Sequence, residues 1–420
     1  MRVLHVNTAD LDGGAARAAH RIHTALRKSG VDSHMLVLRR RDADPHVHQP
    51  LVRGDQVAWH RIKQAVSGQL SARQKKPTSS AMHSLAMFPS GLGEWINRSD
   101  FDIVHLHWVG EEMLSIGEIG RIRQPLCWTL HDMWAFTGSE HYDDLENPRR
   151  YAQGYNAGTR PASYRGPDLD AWTWRRKRRA WRDKPIELIS PSHWLAACAQ
   201  ASQLFSGRPC HVIPNCVDHA IYRPHDARTA RQLLGLAPDR RYILFGAMSS
   251  TSDPRKGFHL LQPALQRLAQ RLGPDSGVEL LVFGGHTPSR PPDLGLPAHY
   301  LGSFHDDLSL ALLYSAANVF VAPSTQDNLP NTLVEALACG TPCVAFGIGG
   351  FVDLVENGRN GWLAEPFSPD HLADSLWQSL ESPLKSSRDS LFAGQSCDPE
   401  PVAAQYREIY QRLMAARRIG

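Results

Sequence analysis

The sequence predicts an α/β chain of two domains, each built around an open parallel sheet, and three observations carry that prediction. Short β-rich apolar runs alternate with amphipathic stretches from the first residue onward, which is the pattern of successive βα units. Two such series can be traced, separated near residues 213–218. The chain has 420 residues, against roughly 150 per domain, and 42% of it is hydrophobic with 21% charged, so it can fill large cores and lies far from the composition of disordered chains.

Taken in order, residues 3–6 open as a strand; Asp12, Gly13 and Gly14 then make a turn; and residues 15–28, rich in Ala and Leu, form a helix that Gly30 closes. Further strands are expected at 34–38, 103–107, 126–130 and 187–189, giving a first domain over residues 1–205. Residues 53–82 are its least patterned part, polar and poor in strands. The second series places strands at 211–213, 242–245, 279–283, 318–321 and 342–346, with a helix over 258–272, giving a second domain over 206–397. Ile213-Pro214-Asn215 suits a turn or interdomain hinge, so two lobes facing a cleft are expected. Residues 398–420 read as a terminal helix, amphipathic over 403–416, that packs back on the first domain.

Composition excludes several classes of function. Lys and Arg number 46 against 42 Asp and Glu, a net +4 that does not announce nucleic-acid binding. Seven Cys at irregular spacing, with no CxxC pair, argue against a disulfide scaffold or a structural zinc site. The opening MRVLHVNTADLDGG lacks the long apolar core of a signal peptide, and no run of about 18 apolar residues appears, so a cytoplasmic protein is expected.

Three stretches carry chemistry. Gly13 and Gly14, directly after the first strand and before a helix, let the backbone approach a ligand closely, although an ordinary βα turn would look the same. The sequence there reads DGGAAR rather than GxGxxG, and no GxxxxGK[ST] occurs, which argues against a nicotinamide dehydrogenase and a P-loop nucleotidase. Arg255 and Lys256, in the PRKG turn before the 258–272 helix, are cations that can hold a diphosphate, one as a planar fork and one as a mobile point charge. The run VAPSTQDNLPNTLVEALACGTP over 321–342 places Pro330 at a first helical position, which leaves the amides of Asn331, Thr332 and Leu333 for an anion. Asp327 precedes that helix and Glu335 lies inside it, eight positions on, as two groups of hydroxyls on one ligand would require. Asp327 could also be a plain helix cap.

The run over 323–342 resembles the acid-x7-Glu signature of the GT-B glycosyltransferases of family four, whose usual form has Glu first. The PRKG, IPN, TLHD and GGFVDLVENG stretches, with Gly13-Gly14, stand in the order that family has them, so the resemblance covers nearly the whole chain. HLHW at 105–108 and LHDMWAFTG at 130–138 are similar to the colanic-acid and exopolysaccharide branch.

The resemblance implies retaining transfer of a hexose from a UDP- or GDP-linked sugar to a glycan acceptor, with no metal and no cofactor beyond the donor itself; an acceptor carried on undecaprenyl diphosphate would fit contact of the chain with a membrane surface. By the same resemblance Glu335 binds the ribose, Asp327 contacts the donor-sugar hydroxyls, Lys256 and more weakly Arg255 neutralise the diphosphate, Gly14 supplies a close backbone approach, and His131 lies near the donor sugar. Trp108, Asp132 and Trp134 follow first-domain strands and are taken as acceptor-side. Two features depart from the family: Ala247 stands where an arginine is usual, and the first acid is Asp rather than Glu, one methylene shorter.

Interleaved Trp and Arg over 172–182 suit an anionic membrane surface or lipid-linked acceptor, while a helix whose Trp residues pack inward reads identically. Asp168-Leu169-Asp170 has the spelling of a metal-binding Asp-x-Asp but sits in a polar Arg-Gly-Pro stretch, which marks it as chance. A non-catalytic nucleotide-sugar scaffold and a nucleotide-sugar epimerase of the same fold are the alternatives; the epimerase leaves the Asp327–Glu335 signature unexplained.

Overall fold

The structure, a computed structural model, describes residues 1–50, 54–76, 82–144, 146–246, 253–285, 289–304, 306–382, 384 and 396–419. The chain forms two compact units, Met1–Cys216 with Pro399–Gly420, and Val217–Asp398.

Unit 1 contains strands β1 (Arg2–Val6), β2 (Asp32–Leu36), β3 (Val47–His48), β4 (Ile103–Leu106), β5 (Leu126–Thr129), β6 (Glu187–Ser190) and β7 (Cys210–Val212). They make one sheet in the order β3-β2-β1-β4-β5-β6-β7, every pair parallel. Its helices are α1 (Gly14–Lys28), α2 (Gly54–Ser71), α3 (Leu92–Arg98), α4 (Ile116–Arg121), α5 (Arg150–Gln153), α6 (Leu169–Trp181) and α7 (His193–Ala201). Strands covered on both faces are largely apolar, and the central strands β4 and β5 are buried at every position, His105 and Thr129 being their polar members.

Unit 2 begins with α8 (Ala227–Leu233) and β8 (Arg241–Gly246), followed by α9 (Phe258–Leu272), β9 (Val278–Phe283), β10 (Ala298–Tyr300), α10 (Asp307–Ala316), β11 (Val319–Ala322), α11 (Asn331–Ala338), β12 (Cys343–Phe346), β13 (Gly361–Ala364) and α12 (Pro369–Glu381). Its parallel sheet runs β10-β9-β8-β11-β12-β13. The last helix, α13 (Pro399–Ile419), belongs to unit 1: Val402, Ala403, Tyr406, Ile409 and Tyr410 share a core with Ile22 and Leu26 of α1 and with Val3, Ile103, Cys127 and Ile189 of the sheet.

Three expectations are corrected. The boundary expected at 205/206 falls at Cys216/Val217, because the strand expected to open the second series instead pairs with β6, Leu188 opposite Cys210 and Ile189 opposite His211, and closes the first sheet's edge. Within 53–82, expected to be unpatterned, lies the 18-residue helix α2. Pro330 is the cap of α11 rather than its first helical residue, with φ −66° and ψ 122°, and its carbonyl accepts a hydrogen bond from the Leu333 amide at 3.0 Å.

Candidate functional site

In unit 2, chain geometry draws the acid signature and the basic turn together. β8 ends at Gly246, and a single 3-10 turn, Pro254–Lys256, is capped by Asp253, whose carboxylate accepts from the Arg255 amide at 3.0 Å and from its guanidinium at 2.8 Å. Gly257 follows with φ +72°, and a Cβ there would lie 1.8 Å from the Pro323 carbonyl oxygen, so only glycine lets this turn sit against the exit of β11. The contact is reinforced by the Thr325 amide donating to the Arg255 carbonyl at 2.8 Å.

Lys256 is thereby brought to Asp327, Nζ to Oδ2 2.8 Å. Burial by itself would raise the Asp327 carboxyl, but Lys256 and Arg255 outweigh it and hold the group below the ordinary carboxylate range. The Gly349-Gly350 pair packs on the same residue: the Gly350 amide donates to the Asp327 carbonyl at 3.1 Å, and a Cβ on Gly349 would approach that oxygen to 2.5 Å. Glu335 is buried on α11 and accepts a hydrogen bond at 2.9 Å from the Tyr314 hydroxyl of α10. Sequence reasoning missed Tyr314, a tyrosine in an otherwise ordinary apolar helix with no motif around it.

Of the three amides expected to await an anion, that of Leu333 is engaged by Pro330, so the anion site at this helix is smaller than the sequence suggested. Asn331 and Thr332 occupy the first two positions of α11. Ala247 and residues 249–252 lie outside the described residues.

In unit 1, Gly13 caps α1 with φ +91° and Gly14 is its first residue; both are exposed, and a Cβ on Gly13 would meet nothing within 4 Å, so its positive φ rather than crowding favours glycine there. One sheet face carries His5 on β1, His105 on β4 and Thr129 on β5, with His107 and His131 two residues further along their strands. The rings form a chain: His131 Nε2 to His107 Nδ1 is 3.0 Å, and His107 Nε2 to His5 Nδ1 is 2.9 Å. Beside it His105 bonds Thr129 at 2.8 Å and the Tyr410 hydroxyl of α13 at 2.6 Å. Burial pushes these imidazoles down, His131 to about 4 and His105 to about 3, with His5 and His107 also well below the ordinary value. The array is neutral near pH 7.

Asp132, next to His131, is held by three donors: His141 Nδ1 at 2.6 Å, the Trp108 indole at 2.8 Å and the Trp134 amide at 2.9 Å. Its burial would raise the carboxyl, yet His141 and these hydrogen bonds bring it below the ordinary range. Trp108, His131, Asp132, Trp134 and His141 line one pocket. His141, which sequence reasoning missed, also bonds Ser84 Oγ at 2.8 Å.

Trp134, expected on the acceptor side, lines this pocket from a buried position. It is 3% exposed, with the Lys177 ammonium 3.8 Å from its ring centroid and His141 stacked at 6.1 Å, so it forms a wall of the pocket.

The 172–182 run is turned partly inward. Trp174, Lys177 and Trp181 are buried, and Arg176 donates to the carbonyls of Leu85 at 2.9 Å and Ala86 at 3.1 Å. Trp172 and Arg175, Arg178 and Arg179 remain exposed.

Asp168 caps α6, accepting from the Ala171 amide, while Asp170 pairs with Lys76 at 2.9 Å. Among the described residues, two clusters have metal-ligand spacing. In the cluster of His83, Glu140 and Asp170, the Lys76 ammonium already bonds both His83 and Asp170; in that of His5, His105 and His107, the rings bond one another and the neighbouring hydroxyls.

Comparisons with known proteins match the chain in both units. A family model described as Glycosyltransferase Family 4 matches residues 12–221, and one described as Glycosyl transferases group 1 matches residues 240–382. A D-inositol 3-phosphate glycosyltransferase of Acidothermus cellulolyticus is 28% identical over 305 residues, which is 68% of this chain and 61% of that protein, so the match spans about six-tenths of the relative's length. A sucrose-phosphate synthase from Thermosynechococcus elongatus has a similar structure, with a TM-score of 0.64 at 19% identity over 99% of this chain and 100% of that one. Anabaena HepE, solved in complex with UDP and glucose, gives 0.61 at 19% identity over 98% and 100%. At such identities the structural likenesses speak for the fold.

Proposed function

The chain belongs to glycosyltransferase family 4, and on that premise we propose that it moves a hexose from a UDP- or GDP-linked sugar, with retention at the anomeric carbon, to a lipid-linked glycan acceptor in surface polysaccharide synthesis. The observation that supports this most is the docking of the Pro254–Gly257 turn on residues 323–327, which sets Lys256 against Asp327 beside the helix that carries Glu335.

Breaking the anomeric bond leaves positive character on the sugar and negative charge on the departing diphosphate. Lys256 and Arg255 are the fixed cations for that charge, and with both at the phosphates the reaction runs without a divalent ion or further cofactor. Asp327 reads the sugar hydroxyls and Glu335 the ribose. While no donor is bound Lys256 and Asp327 satisfy each other; donor binding exchanges that pair for the diphosphate on one side and hydroxyls on the other. His131, neutral because its ring is desolvated, contacts the donor sugar without adding a charge that would oppose the developing cation. Gly14 brings backbone close to the donor.

On the acceptor side, Trp108 and the ionised Asp132 offer an indole edge and a fixed hydrogen-bond acceptor. A carboxylate there suits a sugar hydroxyl better than the phosphate of an inositol phosphate, the acceptor named for the Acidothermus relative.

The test is to incubate the protein with UDP- and GDP-hexoses and lipid-linked or soluble glycans and to read the new linkage by NMR. The expected product keeps the donor's anomeric configuration. An inverted product overturns the retaining reading, and absence of transfer from every donor favours the scaffold.

A further inference from the structure

Helix α2 is built inside out. Its contacts with the body of unit 1 are polar: Gln64 donates to the Glu111 carbonyl at 3.0 Å, Ser67 donates to the Glu112 carboxylate at 2.7 Å, and Lys63 donates to the Pro89 carbonyl. Ser67 is the buried residue of the helix. The opposite side carries exposed apolar residues: Trp59 is 60% exposed, Ile62 50% and Val66 38%, with the exposed Ala58 and Ala65 along one edge of them. Residues at these spacings share one face of a helix, and a soluble helix ordinarily turns that face inward. Here the apolar stripe stands clear of every described residue that could cover it.

The charges around the stripe identify what covers it. On the helical wheel Arg61 borders the stripe on one side and Lys63 on the other, with the Lys63 ammonium 5.9 Å from the Trp59 ring. Asp55, exposed in the first turn, is the acid of the helix and lies on the stripe's face at its N-terminal end, one turn before Trp59. Gln74, just past the end of α2, ties it to the start of α6: its side chain accepts from the Leu169 amide at 2.6 Å and donates to Asp170 at 2.8 Å. From there α6 exposes Trp172, Arg175, Arg178 and Arg179. An apolar strip one helix wide, with tryptophan on it, cations at its borders and more cations on the adjoining helix, has the chemistry of a helix lying in a lipid interface, its apolar side among acyl chains and its cations on anionic headgroups. Among the described residues no helix is long and apolar enough to cross a membrane, so the contact is one of lying on the surface.

We infer that the exposed face of α2, centred on Trp59, Ile62 and Val66, docks unit 1 on a bilayer rich in anionic lipid, with the exposed arginines of α6 as a secondary contact. This deepens the proposed function, since it rests on the lipid-linked acceptor for its purpose, and it moves the membrane contact from residues 172–182 to a helix whose pattern the sequence did not reveal.

The test is sedimentation of the full chain with phosphatidylcholine vesicles, alone or with about 30% phosphatidylglycerol. The parent protein is expected to partition at least about tenfold better onto the anionic vesicles, and the Trp59→Glu/Ile62→Glu double variant to lose about tenfold or more of that partition. Trp59→Phe is expected to retain it, and Arg175→Glu/Arg179→Glu to lose a smaller part. Because both α2 side chains are exposed and neither belongs to the proposed donor site, the double variant should keep the parent's thermal transition and its stabilisation by nucleotide sugars. Failure of the donor reading would therefore show as absent nucleotide stabilisation with vesicle binding intact. Anionic-vesicle binding that the double variant leaves unchanged, or that the parent lacks, overturns the inference. So does light scattering that shows a parent dimer, a monomeric double variant and no vesicle binding, which would mean that a second copy of the chain covers the stripe.

Discussion

Behind His131 in unit 1 stand neutral rings bonded to one another, His131 to His107 at 3.0 Å and His107 to His5 at 2.9 Å, whereas in unit 2 the facing groups are opposite charges, Lys256 and Asp327 at 2.8 Å. His5 and His107 are buried by sheet and helices and have no reason to exchange partners, while His131 is half-buried at the pocket. Lys256 keeps 34% of its side chain exposed, and an ion pair of that exposure is worth on the order of 1 kcal/mol or less, so an arriving diphosphate can take the lysine at small cost. A rigid neutral array holds one imidazole in place and uncharged; a loosely satisfied ion pair is what the proposed donor site requires to receive a charged ligand.

The largest expected effect breaks the unit 2 side of this contrast. Gly257→Ala puts a Cβ against the Pro323 carbonyl at a positive φ, which should cost about 3 kcal/mol or more and lower the melting of unit 2 by roughly 6–12 °C, with loss of nucleotide stabilisation. An unchanged melting temperature in calorimetry would contradict the docking of the basic turn.

Next comes His107→Leu, which strands His131 and His5 in the interior and should destabilise unit 1 by about 2–3 kcal/mol while leaving nucleotide binding intact. Chemical denaturation of unit 1 with a parallel nucleotide titration separates the two effects; equal losses in both would mean that the array does more than hold His131.

Acidification sharpens the contrast without mutation. His131 (about 4), His105 and His23 (each about 3), together with His5 and His107, titrate lower in the folded protein than unfolded, so the unfolded state binds more protons as pH falls below about 6.5 and unit 1 loses stability from there toward about pH 4. Glu140, raised to about 7, and Asp143, to about 6, act in the opposite direction but are outnumbered. In unit 2 the carboxyls of Asp226, Asp306 and Asp327 sit below their ordinary value, so the stability they contribute is present above about pH 4 and is lost only below it. Calorimetry between pH 7 and 4 should therefore show the unit 1 transition falling first, and the reverse order would sink this account of the histidines.

The smallest effect is Tyr314→Phe. Removing one hydrogen bond to Glu335 should weaken nucleotide binding about fivefold, near 1 kcal/mol, in an isothermal titration, and full affinity would remove Tyr314 from the site.

The parallel sheets were legible because strands buried on both faces leave unmistakable apolar runs, and both the acid signature and the basic turn stood out because glycines and a proline fix their backbone. What escaped were features set by long-range contact. β7 is too short for its own sequence to say which sheet it joins, and pairing with β6 decides it. α2 was hidden because its apolar residues are few and set among Asp, Gln, Arg, Lys, Ser and Gly, so its helical period is weak. His141 and Tyr314 lie 9 and 21 positions from the carboxylates they orient, with no motif of their own. Trp134 and Arg176 lie in recognisable stretches, but only the packing shows that both face inward.

The central claim is that unit 2 holds the donor through Lys256 and Glu335. The most direct measurement is thermal stabilisation by UDP, GDP, ADP and their sugars of the parent, Lys256→Ala and Glu335→Ala, since a ligand that binds only the folded state must raise its stability. One nucleotide sugar should stabilise the parent, and both variants should lose most of the shift. No shift with any of these ligands at about millimolar concentration, or a shift that survives in both variants, would contradict the assignment of the donor site.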